Sequence, residues 1–507
     1  MNLNHAESMG SLSRRNFGKL LCLAVLPASA LTYASSSEND AHSDIEFTSS
    51  DARLVSAFRW AKKEALSYVF DHDPVGPWYE ASLPGRQAFC MRDTAHQADG
   101  AQVLGLERYN HNMLRRFAEN ISASRDWCSY WEIDRLNRPA PVDYKNDAEF
   151  WYNLPANYDI LDTCYRMYLW TGDRSYIEDP VFLNFYDRTV NEYTTRWDLS
   201  PDRIMERKSD IPTPPFFRGD PTYEESSRDN LVGIDLLATQ YAALRAYATI
   251  QSIRGNTQKA HQSLQTAAQV KSLINTMWWN QRDGYFYAFF NKQHRFTGRA
   301  GSDVLYRDAA EDGVKTTSAL HTLLASMKTE PKSAVEAKSH YAEILYRYGD
   351  PNAAHAQIID LTSQGRERRE YPEVSYSVVG AIVTGLMGVR VKPALPLADI
   401  VAGKPFEPVT ATLSQLKEKT GWAEICNLPV QNTSICVRHE GNRSTRLTNR
   451  GKKALRWRPA FEVSSRMLLV DGKPHQARVE PRPSGHAVTW VELTVEAGSS
   501  TQVKAPS

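Results

Sequence analysis

Apolar residues recur at intervals of three and four along most of the chain between Ala52 and Arg390. This spacing places them on one face of a helix, so it predicts a mainly helical region. The clearest runs are Asp159–Leu169, Ile234–Ile253, Ala260–Trp278, Thr317–Met327 and Ser375–Leu386. The runs share no fixed period, which disfavours a simple repeat array.

Two connectors between predicted helices contain turn-forming residues. Leu169–Asp173 carries Gly172, which would end one helix, and Asp173, which would begin the next. Trp278–Phe286 contains Asp283-Gly284 between aromatic residues, a pair that favours a tight hairpin turn. The sequence therefore predicts helix after helix, joined by short turns.

The pattern changes after Pro393, and from about Gly421 apolar and polar residues alternate in short segments. Asp471-Gly472 and similar turn residues separate these segments. This pattern predicts a small C-terminal antiparallel β-sandwich over residues 393–507. Its tryptophans, which are Trp422, Trp457 and Trp490, would serve a sandwich core, and a carbohydrate-binding module is the alternative.

The first 34 residues have the features of an export signal. Ser13–Lys19 contains the adjacent Arg14 and Arg15, and an apolar run too short to span a bilayer follows, with a small-residue cleavage site at Ala28–Ala30. Cleavage after Ala34 is also permitted. We therefore expect the twin-arginine export machinery to deliver the chain to the periplasm or the extracellular space. Residues 35–50 are predicted to form a disordered leader.

Charge and composition exclude several classes of protein. Lys and Arg total 60 against 59 Asp and Glu, a net charge of +1, which argues against a nucleic-acid binder. No apolar run after residue 31 approaches the ~20 residues of a membrane helix, so we expect no membrane span in the mature chain. The sequence also lacks phosphate-loop, dinucleotide, zinc-peptidase and serine-esterase motifs.

The cysteines signal neither a metal site nor a cofactor. Of the six, Cys22 would leave with the signal. The others, without zinc-type spacing, are Cys90, Cys128, Cys164, Cys426 and Cys436. Cys426 and Cys436 could pair across a hairpin. However, twin-arginine substrates usually fold in a reducing cytoplasm, so we expect all five to act as small hydrophobic residues.

Three polar motifs each stand at or before a predicted helix. They are Arg92-Asp93, Tyr223-Glu224-Glu225 and Tyr371-Pro372-Glu373. An Arg beside an ionised Asp offers fixed donors and strong acceptors for sugar hydroxyls. An inverting glycosidase needs two carboxyl groups, one protonated and one ionised, on opposite sides of the scissile bond. Each acid could instead be a charge that stabilises a helix N-terminus.

In this order the motifs resemble the sugar-binding Arg-Asp, the general acid and the general base of six-hairpin (α/α)6-barrel glycoside hydrolases with a glucoamylase-like site. The resemblance implies an (α/α)6 toroid as the catalytic domain over residues 51–392. It also implies that Arg92 and Asp93 hold the terminal sugar, that Glu224 or Glu225 is the acid, and that Glu373 is the base. Cys90-Met91 replace the aromatic residues of the relatives.

Further polar and aromatic residues crowd one helix entry and could bind sugar. Tyr144 and Trp151 could stack on sugar faces, and Lys145 and Asp147 could bind hydroxyls. Tyr223 and Arg218 complete the predicted substrate-binding set. The cations Arg92, Lys145, Arg207, Arg218 and Arg228 fall in or near candidate cavity loops and would suit a carboxylated sugar.

These observations predict an exported, exo-acting glycoside hydrolase that removes a terminal sugar from oligosaccharides by inversion, with a uronic acid as one candidate sugar. One alternative is a polysaccharide lyase with a Tyr or His base, for which His96, His111 and Tyr144 are candidates. A non-catalytic glycan-binding protein is the other alternative.

Overall fold

The structure is a computed structural model that describes residues 43–203, 218–225, 229–331, 333–416, 420–482 and 487–506. The predicted signal, residues 1–34, lies outside the described residues. Arg207 and Arg228 of the predicted cation set also lie outside them.

The helices occupy the region before Arg390, as the periodicity predicts. The principal ones are α1 (Ala52–Ser67), α2 (Met91–Val103), α3 (Glu107–Glu119), α4 (Pro155–Thr171), α5 (Pro180–Arg188), α6 (Ile234–Ile253), α7 (Thr257–Thr276), α8 (Ser302–Tyr306), α9 (Val314–Thr329), α10 (Tyr341–Tyr348), α11 (Pro351–Thr362) and α12 (Pro372–Gly380). Shorter helical segments are Ala123–Arg125, Ser175–Glu178, Thr189–Tyr193, Thr194–Arg196, Val335–Ser339, Ala381–Leu386, which continues α12, and Leu397–Val401.

Local chemistry sets several helix ends. Asp51 caps α1 by accepting a hydrogen bond from the backbone N–H of Arg53 at 3.0 Å. Pro155 and Pro372 stand in the first turns of α4 and α12, where a missing N–H costs nothing. Gly172 ends α4 in the left-handed conformation, with φ of 72°, so the predicted turn after this helix is confirmed.

Six helices lie side by side in a closed series of contacts. Helix α2 contacts α4, α4 contacts α6, α6 contacts α8 and α8 contacts α10. Helix α10 contacts Ala381–Leu386, the continuation of α12, and α12 returns to α2. Every residue of α12 is buried. Other helices pack against this series: α1 packs on α12, α3 on α2 and α7 on α6.

Short strands occupy the loops of the helical region. They are Val69–Phe70, Trp78–Tyr79, Ala88–Cys90, Glu132–Asp134, Tyr144–Asn146, Glu149–Phe150, Tyr152–Asn153, Arg218–Asp220, Asn230–Gly233, Trp279–Asn280, Tyr285–Phe286, Phe289–Asn291 and Phe296–Thr297. Trp279–Asn280 pairs with Tyr285–Phe286 around Asp283-Gly284, so the hairpin predicted there is confirmed.

The C-terminal region forms two sheets in a sandwich-like arrangement. The first has the order Glu46–Ser49, Trp422–Val430, Thr433–Glu440, Ser444–Asn449, Ser500–Lys504, Met467–Val470 and Lys473–Gln476. The second has the order Arg390–Pro393, Pro408–Leu413, Leu455–Phe461, Ala487–Trp490 and Arg478–Pro481, with Leu493–Val495 also paired to Leu455–Phe461. The pairing is antiparallel, as predicted, except between Pro408–Leu413 and Leu455–Phe461, which run parallel.

The prediction of a disordered leader to residue 50 is wrong for Glu46–Ser49. These residues form an edge strand of the first sheet, antiparallel to Trp422–Val430, with Phe47 opposite Ile425. Phe47 and Ile425 are both buried. The strand therefore joins the start of the described chain to its C-terminal region.

The expectation that all five mature cysteines are unpaired is also wrong. Cys426 and Cys436 form a disulfide, because the hairpin of Trp422–Val430 and Thr433–Glu440 brings their Cα atoms to 4.1 Å. Cys90, Cys128 and Cys164 are buried thiols, as predicted. Among the described residues, no helix has both the length and the apolar character needed to cross a membrane.

Candidate active site

A cavity of about 450 Å³ lies where first-turn residues of the contacting helices converge. Arg92 of α2, Asp235 of α6, Asp303 of α8 and Glu373 of α12 line it, together with His340, which directly precedes α10. The positive ends of helix dipoles favour negative charge nearby. The cavity is therefore built to hold ionised side chains and polar ligands.

Glu373 is fully buried, and two histidines contact one of its carboxylate oxygens. Its Oε1 lies 2.7 Å from His340 Nε2 and 3.0 Å from His96 Nδ1. Burial raises the pKa of Glu373, but the hydrogen bonds from His340 and His96 outweigh it and hold that pKa well below its usual range. An ionised carboxylate can only accept, so both ring nitrogens carry hydrogen. Glu373 Oε2 is buried and has no hydrogen-bond partner in the described structure.

His96 is held between Glu373 and Asp159. Its Nε2 lies 3.9 Å from Asp159 Oδ2, while its ring meets that of His340 edge-on at 4.3 Å between centroids. Burial, with the neighbouring His340, lowers the pKa of His96 to about 3, so the ring is neutral. Sequence reasoning raised His96 only as a base for the lyase alternative. It missed His340, which no motif marks.

The predicted Arg92-Asp93 pair occupies the first turn of α2. Arg92 Nε contacts Asp93 Oδ1 at 3.2 Å, and the Tyr371 hydroxyl donates to Asp93 Oδ2 at 2.7 Å. Asp93 is fully buried, whereas Arg92 reaches the cavity. The guanidinium of Arg92 lies 5.6 Å from the ring centre of Tyr223, in cation–π range. Asp93 therefore orients the side chain of Arg92 from the buried side, away from the cavity.

The two adjacent glutamates of the second motif face different cavities. Glu224 lines the first cavity, and its backbone N–H donates to Thr222 Oγ1 at 3.0 Å. Glu225 lines a second cavity of about 260 Å³, and its Oε1 lies 3.5 Å from Arg92 Nη1. Tyr223 also lines the first cavity, and its hydroxyl donates to Asp159 Oδ2 at 2.6 Å.

Two further carboxyl groups of the first cavity were missed from the sequence. Asp235 accepts hydrogen bonds from the N–H of Tyr223 at 2.6 Å and the hydroxyl of Thr222 at 3.0 Å. Burial and the nearby charge of Asp303 nevertheless raise the pKa of Asp235 to about 7. Burial raises the pKa of Asp303 to about 6; its backbone N–H opposes this rise and the charge of Glu224 adds to it. Both groups can hold a proton close to neutral pH.

The remaining predicted binding residues lie away from Glu373. Trp151 is buried beside the second cavity. The hydroxyl of Tyr144 donates to Asp147 Oδ1 at 2.6 Å, and Lys145 Nζ lies 2.7 Å from Glu149 Oε2 at an exposed position.

Arg218 Nη2 contacts Asp126 Oδ2 at 2.9 Å. Of the described members of the predicted cation set, Arg92 is the one that lines the first cavity.

The lining of the first cavity is more acidic than basic. Its described residues include the carboxyl groups of Glu224, Asp235, Asp303, Glu330, Glu336 and Glu373. They also include the guanidinium groups of Arg92, Arg299 and Arg307. Arg307 forms ion pairs with Asp159 and with Asp162, the latter at 3.0 Å.

No protein-family model matches the sequence, and no curated protein matches it significantly. Solved glycosidase structures are similar in fold. The α-L-rhamnosidase from Dictyoglumus thermophilum superposes with a TM-score of 0.56 at 14% identity, over 92% of this chain and 51% of that one. A GH78-family rhamnosidase of Bacillus sp. GL1 gives 0.53 at 13% identity, over 79% and 40% of the two chains. A sialidase gives 0.54 at 10% identity, over 88% and 41%.

The chain therefore shares the fold of these enzymes and spans about half or less of their length. At such low identity the likeness concerns the fold alone.

Proposed function

We propose that this chain is an exo-acting glycoside hydrolase that removes a terminal sugar from oligosaccharides with inversion. The observation that carries the proposal is the environment of Glu373. Its carboxylate is kept ionised by two histidines, in one cavity with carboxyl groups whose pKa values are raised. Such a separation of pKa values is what a base and an acid working together require.

We further propose that the helices form an (α/α)6 toroid. The closed series α2, α4, α6, α8, α10 and α12 would be its inner ring, and the alternating helices α1, α3, α5, α7, α9 and α11 its outer ring. The contacts around the inner series support this arrangement. In it, the first turns of the inner helices would surround the cavity.

In the proposed reaction, Glu373 takes a proton from water as the water oxygen bonds to the anomeric carbon. The acid gives its proton to the leaving oxygen as the glycosidic bond breaks, so the two carboxyl groups exchange protonation states. Glu224 is favoured over Glu225 as the acid, since Glu224 shares the cavity of Glu373, whereas Glu225 lines the second cavity and contacts Arg92. The raised pKa of Asp303 makes it the second candidate acid.

A neutral terminal sugar suits the cavity better than a uronic acid. Its described lining carries more carboxyl groups than guanidinium groups, which would repel a sugar carboxylate. A volume of about 450 Å³ is also typical of a small-ligand site, which supports action on a chain end. A uronic acid held by Arg92 remains the alternative substrate.

Export by the twin-arginine route to the periplasm or the extracellular space is part of the proposal. The Cys426–Cys436 disulfide supports it, since structural disulfides persist mainly in oxidising compartments.

The decisive experiment is a screen of the purified chain against aryl glycosides of neutral and uronic sugars, followed by proton NMR of the first product. Release of a single sugar whose anomeric configuration is opposite to that of the substrate is expected. Retained configuration would contradict inversion. On an oligosaccharide that contains uronic acid and no aryl group, a product that absorbs in the ultraviolet would identify the polysaccharide lyase. Binding without turnover would identify the glycan-binding protein.

A further inference from the structure

We propose that His96, His340 and Glu373 form a binding site for a divalent transition-metal ion of the zinc type at the wall of the first cavity. One ligand atom from each of these residues lies within 4.8 Å of the others. The three ligands come from separate elements of the helical region. His96 lies in α2, His340 directly precedes α10, and Glu373 lies in the first turn of α12.

The spacing of the ligand atoms is close to that of a metal site. Zinc binds imidazole nitrogen and carboxylate oxygen at about 2.0–2.2 Å, which in a tetrahedral site puts neighbouring ligand atoms roughly 3.3–3.6 Å apart. The two nitrogens already lie 2.7 and 3.0 Å from Glu373 Oε1. Movements of roughly half an ångström would bring these separations to that range. The two ring nitrogens that face Glu373 must also give up their hydrogen, which a neutral imidazole does by moving its proton to the other ring nitrogen, and the site would then admit an ion.

The donor set selects the kind of ion. Two imidazoles and one carboxylate form a ligand set of catalytic zinc sites, whereas magnesium and calcium prefer oxygen ligands alone. His96, His340 and Glu373 all line the cavity, so an ion there would keep open positions for water or a sugar hydroxyl.

A second observation points to a ligand independently of the two histidines. Glu373 is fully buried, and its Oε2 has no hydrogen-bond partner among the described residues. A buried carboxylate oxygen without a partner is costly, and a bound cation would remove that cost. Glu373 could then bind the ion through either oxygen.

Metal binding has a consequence that rests on the proposed function. If Glu373 is the catalytic base, an ion bound to its carboxylate prevents it from accepting a proton from water. Filling the site should therefore lower hydrolysis, with a midpoint that matches the dissociation constant for zinc. Binding itself does not depend on the hydrolase proposal.

Isothermal titration of the chelator-treated full chain with zinc chloride tests the site. We expect one ion per chain. His96→Ala and His340→Ala should each weaken binding by about tenfold or more, at least the loss known for residues that only support metal ligands. The matched control is His261→Ala, because His261 is exposed on α7, and it should bind zinc like the wild type.

Two conservative variants guard against misfolding. Glu373→Gln and His340→Gln preserve side-chain size and should also weaken zinc binding, while circular dichroism reports their fold. Cobalt(II) provides a spectroscopic measurement, since bound cobalt should absorb in the visible range and zinc should displace it. Wild-type zinc affinity in a folded His96→Ala/His340→Ala chain, or no saturable binding by the wild type, would overturn the proposal.

Activity assays separate the two proposals. Zinc binding by a chain that cleaves no glycoside would leave the metal site standing and remove the hydrolase. Glycoside hydrolysis by a chain that does not bind zinc would remove the metal site and leave the hydrolase proposal standing. Activation by zinc at the binding midpoint would refute the inhibitory consequence.

Discussion

The carboxyl groups of the first cavity differ in pKa because their neighbouring groups differ. Glu373 accepts hydrogen bonds from His340 and His96 and stays ionised despite its burial. Asp303 is half-buried, and burial together with the nearby charge of Glu224 raises its pKa to about 6. At neutral pH one group can therefore take a proton while another can still hold one.

Replacing Glu373 by Gln should lower kcat by a factor of about 10² to 10⁴, the range expected for losing a general base. The amide keeps the size of the side chain but cannot accept the proton from water. The matched control is Glu367→Gln, because Glu367 is exposed nearby in sequence. Steady-state kinetics on an aryl glycoside measure both variants. A loss of less than about tenfold would remove Glu373 as the base.

Replacing His340 by Ala should shift the acidic limb of the pH profile. Loss of the hydrogen bond at 2.7 Å leaves burial less opposed, so the pKa of Glu373 rises. Because the base works only when ionised, the low-pH limb of kcat/KM should move to higher pH by about one unit or more. In His340→Gln the side-chain amide can still donate, so the limb should move less. Lower activity with an unmoved limb would show a purely structural role.

The sequence predicted part of this residue-level picture. Arg92, Glu224 and Glu373 stand in short motifs and do share a cavity. His340 and Asp303 stand in no motif, and only the folding of the chain brings His340 to Glu373 and Asp303 near Glu224. Lys145 shows the opposite case, since a suggestive sequence position became an exposed ion pair with Glu149.

At the scale of helices, α2 and α12 meet at a glycine. A Cβ atom built on Gly100 would lie 2.1 Å from the carbonyl oxygen of Tyr376, a backbone atom that cannot move aside. Gly100 therefore lets the helices that carry Arg92 and Glu373 lie close together.

Gly100→Ala should reduce the free energy of unfolding by about 1–3 kcal/mol, the usual cost of overpacking, because α2 and α12 must move apart. Hydrolysis should fall as well, since Arg92 and Glu373 move with those helices. Denaturant titration and kinetics measure the two effects. Ser272→Ala on the exposed face of α7 is the control and should change stability by no more than about 0.5 kcal/mol. An equally small change in Gly100→Ala would contradict the tight contact.

The longer helices were predictable because their apolar residues repeat over several turns. The run Ile234–Ile253 coincides with α6, and Asp159–Leu169 lies within α4. Helix α8 has five residues, too few to produce a periodic signal, yet it carries Asp303. The periodicity therefore predicted the long helices α4 and α6 but missed the short helix α8, which contributes Asp303 to the cavity.

For the whole molecule, the ends of the described chain share one sheet. Glu46–Ser49 pairs with Trp422–Val430, a contact between segments far apart in sequence. Local composition, rich in Ser, Asp and Glu, suggested disorder at this point because the strand's partner cannot be read from nearby residues. The alternating pattern of the C-terminal region, by contrast, did predict its strands, including Met467–Val470.

The proposed export route can be tested through the cysteines of the whole chain. Replacing Arg14 and Arg15 by Lys should keep the precursor in the cytoplasm, where thiols stay reduced. The retained precursor should then show all six cysteines as free thiols after denaturation and alkylation. The exported chain, without Cys22 and with Cys426 and Cys436 paired, should show only Cys90, Cys128 and Cys164. Lys62→Arg, a conservative change behind the signal, is the control and should be exported like the wild type. Unchanged export of the Arg14/Arg15 variant would refute the twin-arginine route, and a fourth thiol, from Cys22, in the exported chain would refute removal of the signal.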